Sequence, residues 1–146
     1  MKIVEPYNGF EQGPIRPPSE SESLLIRITR NCPWNRCTFC PVYKSSDFSL
    51  RPVDHVLKDI DSVHFYVEIL DEIKRSKKTL SRHEVQDVIA RGSGDRRAFH
   101  AAYGFVTGTM KSIFLQDGNS LIIKPEDLIT ILLHLKQAFP KVSRIT

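Results

Sequence analysis

All three cysteines of the chain, Cys32, Cys37 and Cys40, fall inside one nine-residue run, spaced C-x4-C-x2-C. Thiolates favour zinc, copper(I) and iron–sulfur clusters. A structural zinc ion is normally closed by four protein ligands. Here the fourth would come from His55, His64, His83, His100 or His134, none of which belongs to a paired H-x3-5-H arrangement. An iron–sulfur cluster is normally held by four cysteines, and this kind of spacing occurs in cluster loops. Three cysteines would leave one iron of a four-iron cluster without a protein ligand, where a small molecule can bind and react. Structural thiols or a redox pair are the third reading, but ordinary core packing suits three cysteines beside Pro33, Trp34 and Pro41 poorly.

The surroundings of this run bound the fold. Hydrophobic residues make up 40% and charged residues 26% of the 146 positions, which suits a soluble globular chain of one domain or part of one. The apolar runs are far shorter than the ~20 residues of a membrane span. The start of the chain lacks the basic-then-apolar layout of a signal peptide. An odd cysteine count without such a signal argues for a reducing, cytoplasmic setting and against a disulfide framework.

Residues 1–23 read as an irregular arm punctuated by Pro6, Gly9, Gly13, Pro14, Pro17 and Pro18. Residues 24–29 mix aliphatic Leu25, Ile26 and Ile28 with Arg27, as a short strand does. Its carboxyl end delivers the cysteine run, which is where α/β folds with parallel strands gather ligands. Residues 43–51 are polar and read as mobile. From Pro52, apolar residues at Val56, Leu57, Ile60, Val63, Val67, Leu70 and Ile73 predict a helix to about Arg75. Ser81 and Glu84 form a capping box for a second helix ending near Gly92. A third helical pattern covers 95–103. A second strand is expected at 112–116, a helix at 125–138 with Pro125 in its first turn, and the start of a third strand at 142–145. Strands alternating with helices imply a parallel sheet.

Two further features invite a function. Lys74, Arg75, Lys77, Lys78, Arg82, Arg91, Arg96 and Arg97 crowd one interval of a chain with net charge +4. Glu84, Asp87 and Asp95 dilute that field, and few aromatics are interleaved, so solvated helix ends are preferred over a nucleic-acid surface. Asp117, Gly118 and Asn119 follow the second strand directly. Such a turn can expose backbone and side-chain oxygens able to accept hydrogen bonds from an ammonium group; a plain strand-to-helix turn is the alternative.

The run LLIRITRNCPWNRCTFCPVYK resembles the opening strand and cluster loop of the radical S-adenosylmethionine (radical SAM) superfamily, within its Elongator-type and coproporphyrinogen-oxidase-like branch. Cys37-Thr38-Phe39-Cys40 keeps the last half of the usual C-x3-C-x-aromatic-C loop. Four residues rather than three separate Cys32 from Cys37. The segment SIFLQDGNSLII followed by LITILLHLKQAFP resembles the superfamily's second strand and helix. There Asp117, Gly118 and Asn119 stand where a glycine-rich segment binds the amino group of S-adenosylmethionine, although they are not the usual Gly-Gly-Glu.

The resemblance implies an α/β fold: an incomplete parallel (β/α) partial barrel of about three strands, with a helical excursion between strands 1 and 2. Residues 24–146 would be the N-terminal portion of the radical SAM domain. It further implies a [4Fe–4S] cluster on Cys32, Cys37 and Cys40, S-adenosylmethionine on the remaining iron, and Phe39 near the adenine. Cleavage of the bound sulfonium would give a 5′-deoxyadenosyl radical that abstracts hydrogen from a substrate. Trp34 and Arg36 would shield the cluster. Flavodoxin or ferredoxin would supply the electron, and a second chain completing the barrel would be a partner. The competing expectation is a non-catalytic zinc- or iron–sulfur-binding module contacting nucleic acid or a protein.

Overall fold

Of the strand expected over 24–29, Leu24–Arg27 forms β1, while Thr29–Arg30 turns out of that sheet as β2 and pairs antiparallel with β3 (Ser49–Leu50). A computed structural model supplies this description, for residues 4–146. The remaining elements are α1 (Val53–Arg75), α2 (Arg82–Arg91), α3 (Arg96–Thr107), β4 (Ser112–Gln116), α4 (Pro125–Ala138) and β5 (Arg144–Ile145). The main sheet is parallel, in the order β1-β4-β5, with Leu24 opposite Ile113 and Ser112 opposite Arg144. The mixed α/β class and the parallel sheet are as expected.

Helix α1 is 23 residues long, roughly 35 Å at 1.5 Å per residue. Its buried side chains Val56, Ile60, Val63, Tyr66, Val67 and Leu70 recur at three- and four-residue steps. Helix α2 opens on the predicted capping box: the Ser81 hydroxyl accepts from the Glu84 amide at 3.2 Å and the Glu84 carboxylate accepts from the Ser81 amide at 2.8 Å. Helix α3 starts where Asp95 Oδ1 takes the Arg97 amide, and it runs to Thr107, a turn beyond the expected Tyr103. Buried Phe105 and Val106 explain the extra turn, since tertiary packing extends a helix past a weak local pattern.

Tyr66 pins the three helices together. It is fully buried, its hydroxyl donates to the Ile89 carbonyl at 2.8 Å and accepts from the Gly94 amide at 3.1 Å, and its ring meets Phe99 edge-on. Contacts at the far ends fix the helix directions. Lys74 near the end of α1 donates to the carbonyl of Val106 near the end of α3. At the other end, Asp59 and Asp95, near the starts of the same two helices, both bind the N-terminal arm.

In β1 and β4, Leu24, Ile26, Ile113 and Leu115 join the core with the helices. Their alternating neighbours Leu25, Arg27, Phe114 and Gln116 point to the opposite face. Leu25 is nonetheless buried, and the arm lies over Gln116 on this face. Gln116 accepts from the Gly13 amide at 2.8 Å and donates to the carbonyls of Gly13 and Ile15. The described part of the arm is irregular apart from one short 3-10 turn at Pro18–Glu20, yet it is packed closely: Phe10 and Glu20 are buried. Residues 1–3 of the expected arm lie outside the described residues.

The expectation of a mobile segment at 43–51 is corrected. Tyr43 and Arg51 are buried, Ser49 and Leu50 pair with β2, and the Arg51 amide donates to the Ile28 carbonyl. Their partners, Ile28, Thr29 and Arg30 behind and Asp59 and Asp117 ahead, lie outside the segment, so local polarity concealed them. No helix among the described residues is long and apolar enough to cross a membrane.

Candidate metal centre at the strand ends

The chain leaves β2 through Asn31, whose φ of 66° lies in the left-handed region that asparagine tolerates better than most residues. Asn35, with φ of 45°, makes a second such turn. Both side chains then tie the loop to itself. Asn31 Nδ2 donates to the Asp47 carbonyl at 2.5 Å, and Asn35 Nδ2 donates to the Tyr43 carbonyl at 2.6 Å. The Asn35 amide also faces Cys32 Sγ at 3.4 Å, and the Cys40 amide donates to the Cys37 carbonyl. These asparagines are the scaffold of the cysteine loop.

Cys32, Cys37 and Cys40 are partly exposed and outside any disulfide. Among the described residues, no three His, Cys, Asp or Glu side chains are gathered closely enough to hold a metal ion together. The histidines raised as a fourth ligand are engaged elsewhere: His55 stacks edge-on against Tyr7, His64 against Phe139 and His100 against Phe99, while His134 bonds Asp61 and His83 faces Asp87. The donor set itself suits soft metals: three partly exposed thiols on one loop at the carboxyl ends of parallel strands.

The second predicted feature sits beside the first. The Gly118 amide donates to the Asn31 carbonyl at 3.3 Å. A Cβ at Gly118 would stand 2.9 Å from that oxygen and 3.0 Å from Cys32 Cα, so only glycine lets the β4 turn nest against the start of the cysteine loop. Asp117 is 2% exposed in its side chain. Its Oδ2 accepts from Arg27 Nη2 at 2.8 Å and from the Asn31 amide at 3.0 Å, and its Oδ1 accepts from the Tyr43 hydroxyl. Asn119 Oδ1 takes the Leu121 amide and caps a short 3-10 turn, Ser120–Ile122. Asp117 and Asn119, the residues expected to face an ammonium group, already accept from Arg27, Asn31, Tyr43 and Leu121 within the protein.

Phe39 is 86% exposed and so does not wedge the loop into the core. Trp34 is also exposed, with the Arg36 guanidinium over its ring at 5.4 Å. Neighbouring Val42 adds to an apolar fringe along the loop, a feature that often marks a binding surface.

Beneath the loop lies a charge network that sequence reasoning missed. Arg51 donates to Asp59 at 2.7 Å and to the Arg27 carbonyl at 2.9 Å; Tyr7 donates to the other oxygen of Asp59 at 2.7 Å. Glu11, from the arm, bonds Arg30 and Arg27. Burial raises the Asp59 carboxyl above its ordinary range despite the opposing Arg51. Burial also acts to raise Glu11, but the Arg30 hydrogen bond and the charges of Arg51 and Arg27 outweigh it and hold Glu11 low. Burial, reinforced by the hydrogen bond to Asp117, raises the Tyr43 phenol, which therefore stays protonated as a donor. The Nε atoms of Arg27 and Arg51 are buried and find no hydrogen-bond partner among the described residues. An aspartate in the apolar stripe of α1 was the visible signal for this network.

No protein-family model, curated protein or solved structure matches the chain.

Proposed function

We propose that the chain is a radical SAM enzyme, or the part of one that carries the cluster loop, with Cys32, Cys37 and Cys40 holding a [4Fe–4S] cluster and S-adenosylmethionine as its co-substrate. The observation that supports this reading is the meeting of two features separated in sequence. The three-cysteine loop leaves β2, which follows β1 after a single residue, and the Asp117–Gly118 turn leaves β4, the parallel neighbour of β1, and packs directly on Cys32. The sheet is read as part of a (β/α) partial barrel whose carboxyl-end rim carries the site.

The cluster, once bound, supplies one-electron reduction of the sulfonium and so gives access to radical chemistry on a substrate. The protein's share is structural and electrostatic. Gly118 keeps the backbone of the β4 turn close to the loop. Asp117 neutralises Arg27 below it, and exposed Phe39 and Trp34 supply apolar cover for a bound nucleoside or for the loop itself. A small electron-transfer protein such as flavodoxin or ferredoxin is the proposed reductant.

Anaerobic reconstitution with ferrous iron and sulfide tests the reading. The expected product has iron and sulfide in near-equal amounts, a broad visible absorption that bleaches with dithionite, and loss of both on Cys-to-Ala substitution at each of the three positions. Tight zinc without iron would reject it in favour of a non-catalytic metal module.

A further inference from the structure

Asp117 makes contacts that reach both ends of the cysteine loop. One residue before Cys32, the Asn31 amide donates to its Oδ2. Three residues after Cys40, the Tyr43 hydroxyl donates to its Oδ1. Arg27, on β1, binds Oδ2 as well and also reaches Asn31 Oδ1 at 3.3 Å. The carboxylate is buried, its counter-ion is 13% exposed in its side chain, and it stands at the end of a strand locked into the sheet. Each donor thus meets an acceptor whose position the sheet sets.

We infer that Asp117 is a positioning residue: a latch that closes the loop 31–43 at both ends against the end of β4 and so sets the spacing of the three thiols. This assigns Asp117 to the protein's own loop and leaves recognition of a ligand's ammonium group to other atoms. A buried carboxylate gripped by a guanidinium, an amide and a phenol is stronger than a neutral contact, because hydrogen bonds to charged groups are the strong ones. The loop between the two fastened ends contains residues with little cover of their own, Trp34 and Phe39 among them. Its order therefore depends on its ends and on the Asn35 tie to the Tyr43 carbonyl.

Tyr43→Phe, which removes only the hydroxyl, and Asp117→Asn test the latch by a route that needs no metal. Native protein is treated with iodoacetamide and the alkylation rate of each cysteine is read by peptide mass spectrometry, alongside amide exchange of the helices. Tyr43→Phe is expected to accelerate Cys40 by about tenfold, with a smaller change at Cys32; Asp117→Asn is expected to accelerate both. Exchange in α1 and α3 is expected to stay as in the parent. Unchanged rates at all three cysteines in Tyr43→Phe would overturn the latch. So would acceleration matched by equal loss of protection in α1 and α3, which would mean general loosening.

A second measurement rests on the proposed iron–sulfur reading. After anaerobic loading, Tyr43→Phe is expected to lose iron to a chelator faster than the parent. If the parent itself takes up no iron, the cluster reading fails while the thiol measurement still decides the latch.

Discussion

The helical layer α1–α3 and the strand-end loop 31–51 are stabilised by opposite means. The helices meet through Val56, Ile60, Val63, Tyr66, Ala98, Phe99 and Ala102, all buried, with capping at the starts of α2 and α3. The loop buries little besides Tyr43 and Arg51; asparagine side chains, a buried carboxylate and two guanidinium groups hold it. Apolar packing tolerates small shifts at modest cost. A network of buried charges depends on every partner, because one removed charge leaves another uncompensated. Rigidity without bulk is what a loop needs if its sulfurs are to stay reachable.

Asp59→Ala should break this contrast most sharply. It strips Arg51 of its buried partner and Tyr7 of its acceptor, and is expected to cost about 3–5 kcal/mol in urea unfolding. A loss below about 1 kcal/mol would show that the network contributes little. Gly118→Ala comes next, at about 1–3 kcal/mol, because the added methyl meets backbone on the cysteine loop. Its amide-exchange changes should concentrate in the loop and spare α1 and α3; changes spread evenly over the helices would erase the distinction between the two regions.

The helical layer was largely legible in the sequence, and the loop was not. Periodicity and caps are local: Val56 to Leu70 announce α1, and Ser81 with Glu84 announces α2 within four positions. The supports of the loop are distant: Tyr7 with Asp59, Gly13 with Gln116, and Arg27 with Asp117 are separated by 52, 103 and 90 positions. No local pattern announces such pairs. The three cysteines and the Asp-Gly-Asn turn were visible as chemistry, and so was their position after strands. That Asp117 faces inward to Tyr43 and Arg27 depends on tertiary packing alone.

Ser81→Ala probes the helical side more gently. It removes the hydroxyl that accepts the Glu84 amide and is expected to cost about 1 kcal/mol in thermal or urea unfolding, without altering cysteine reactivity. The smallest effect is one of pH. The Ser81 amide, joined by Lys78, holds the Glu84 carboxyl down to about 2 from an ordinary 4.5. A lowered folded value means that its stabilisation is fully present above pH 4.5 and disappears as pH falls toward 2. Amide exchange at the start of α2, followed down that range, should show the cap opening, and Glu84→Gln should flatten the dependence.

The missing side chain at Gly118 has a consequence for how this molecule can change over time. With no room for a methyl between that turn and the backbone of Cys32, the two segments form one piece of architecture despite their distance along the chain. A lineage that acquired a side chain at 118 would have to redraw the path into its first cysteine in the same step. Drift at either place is therefore constrained by the other.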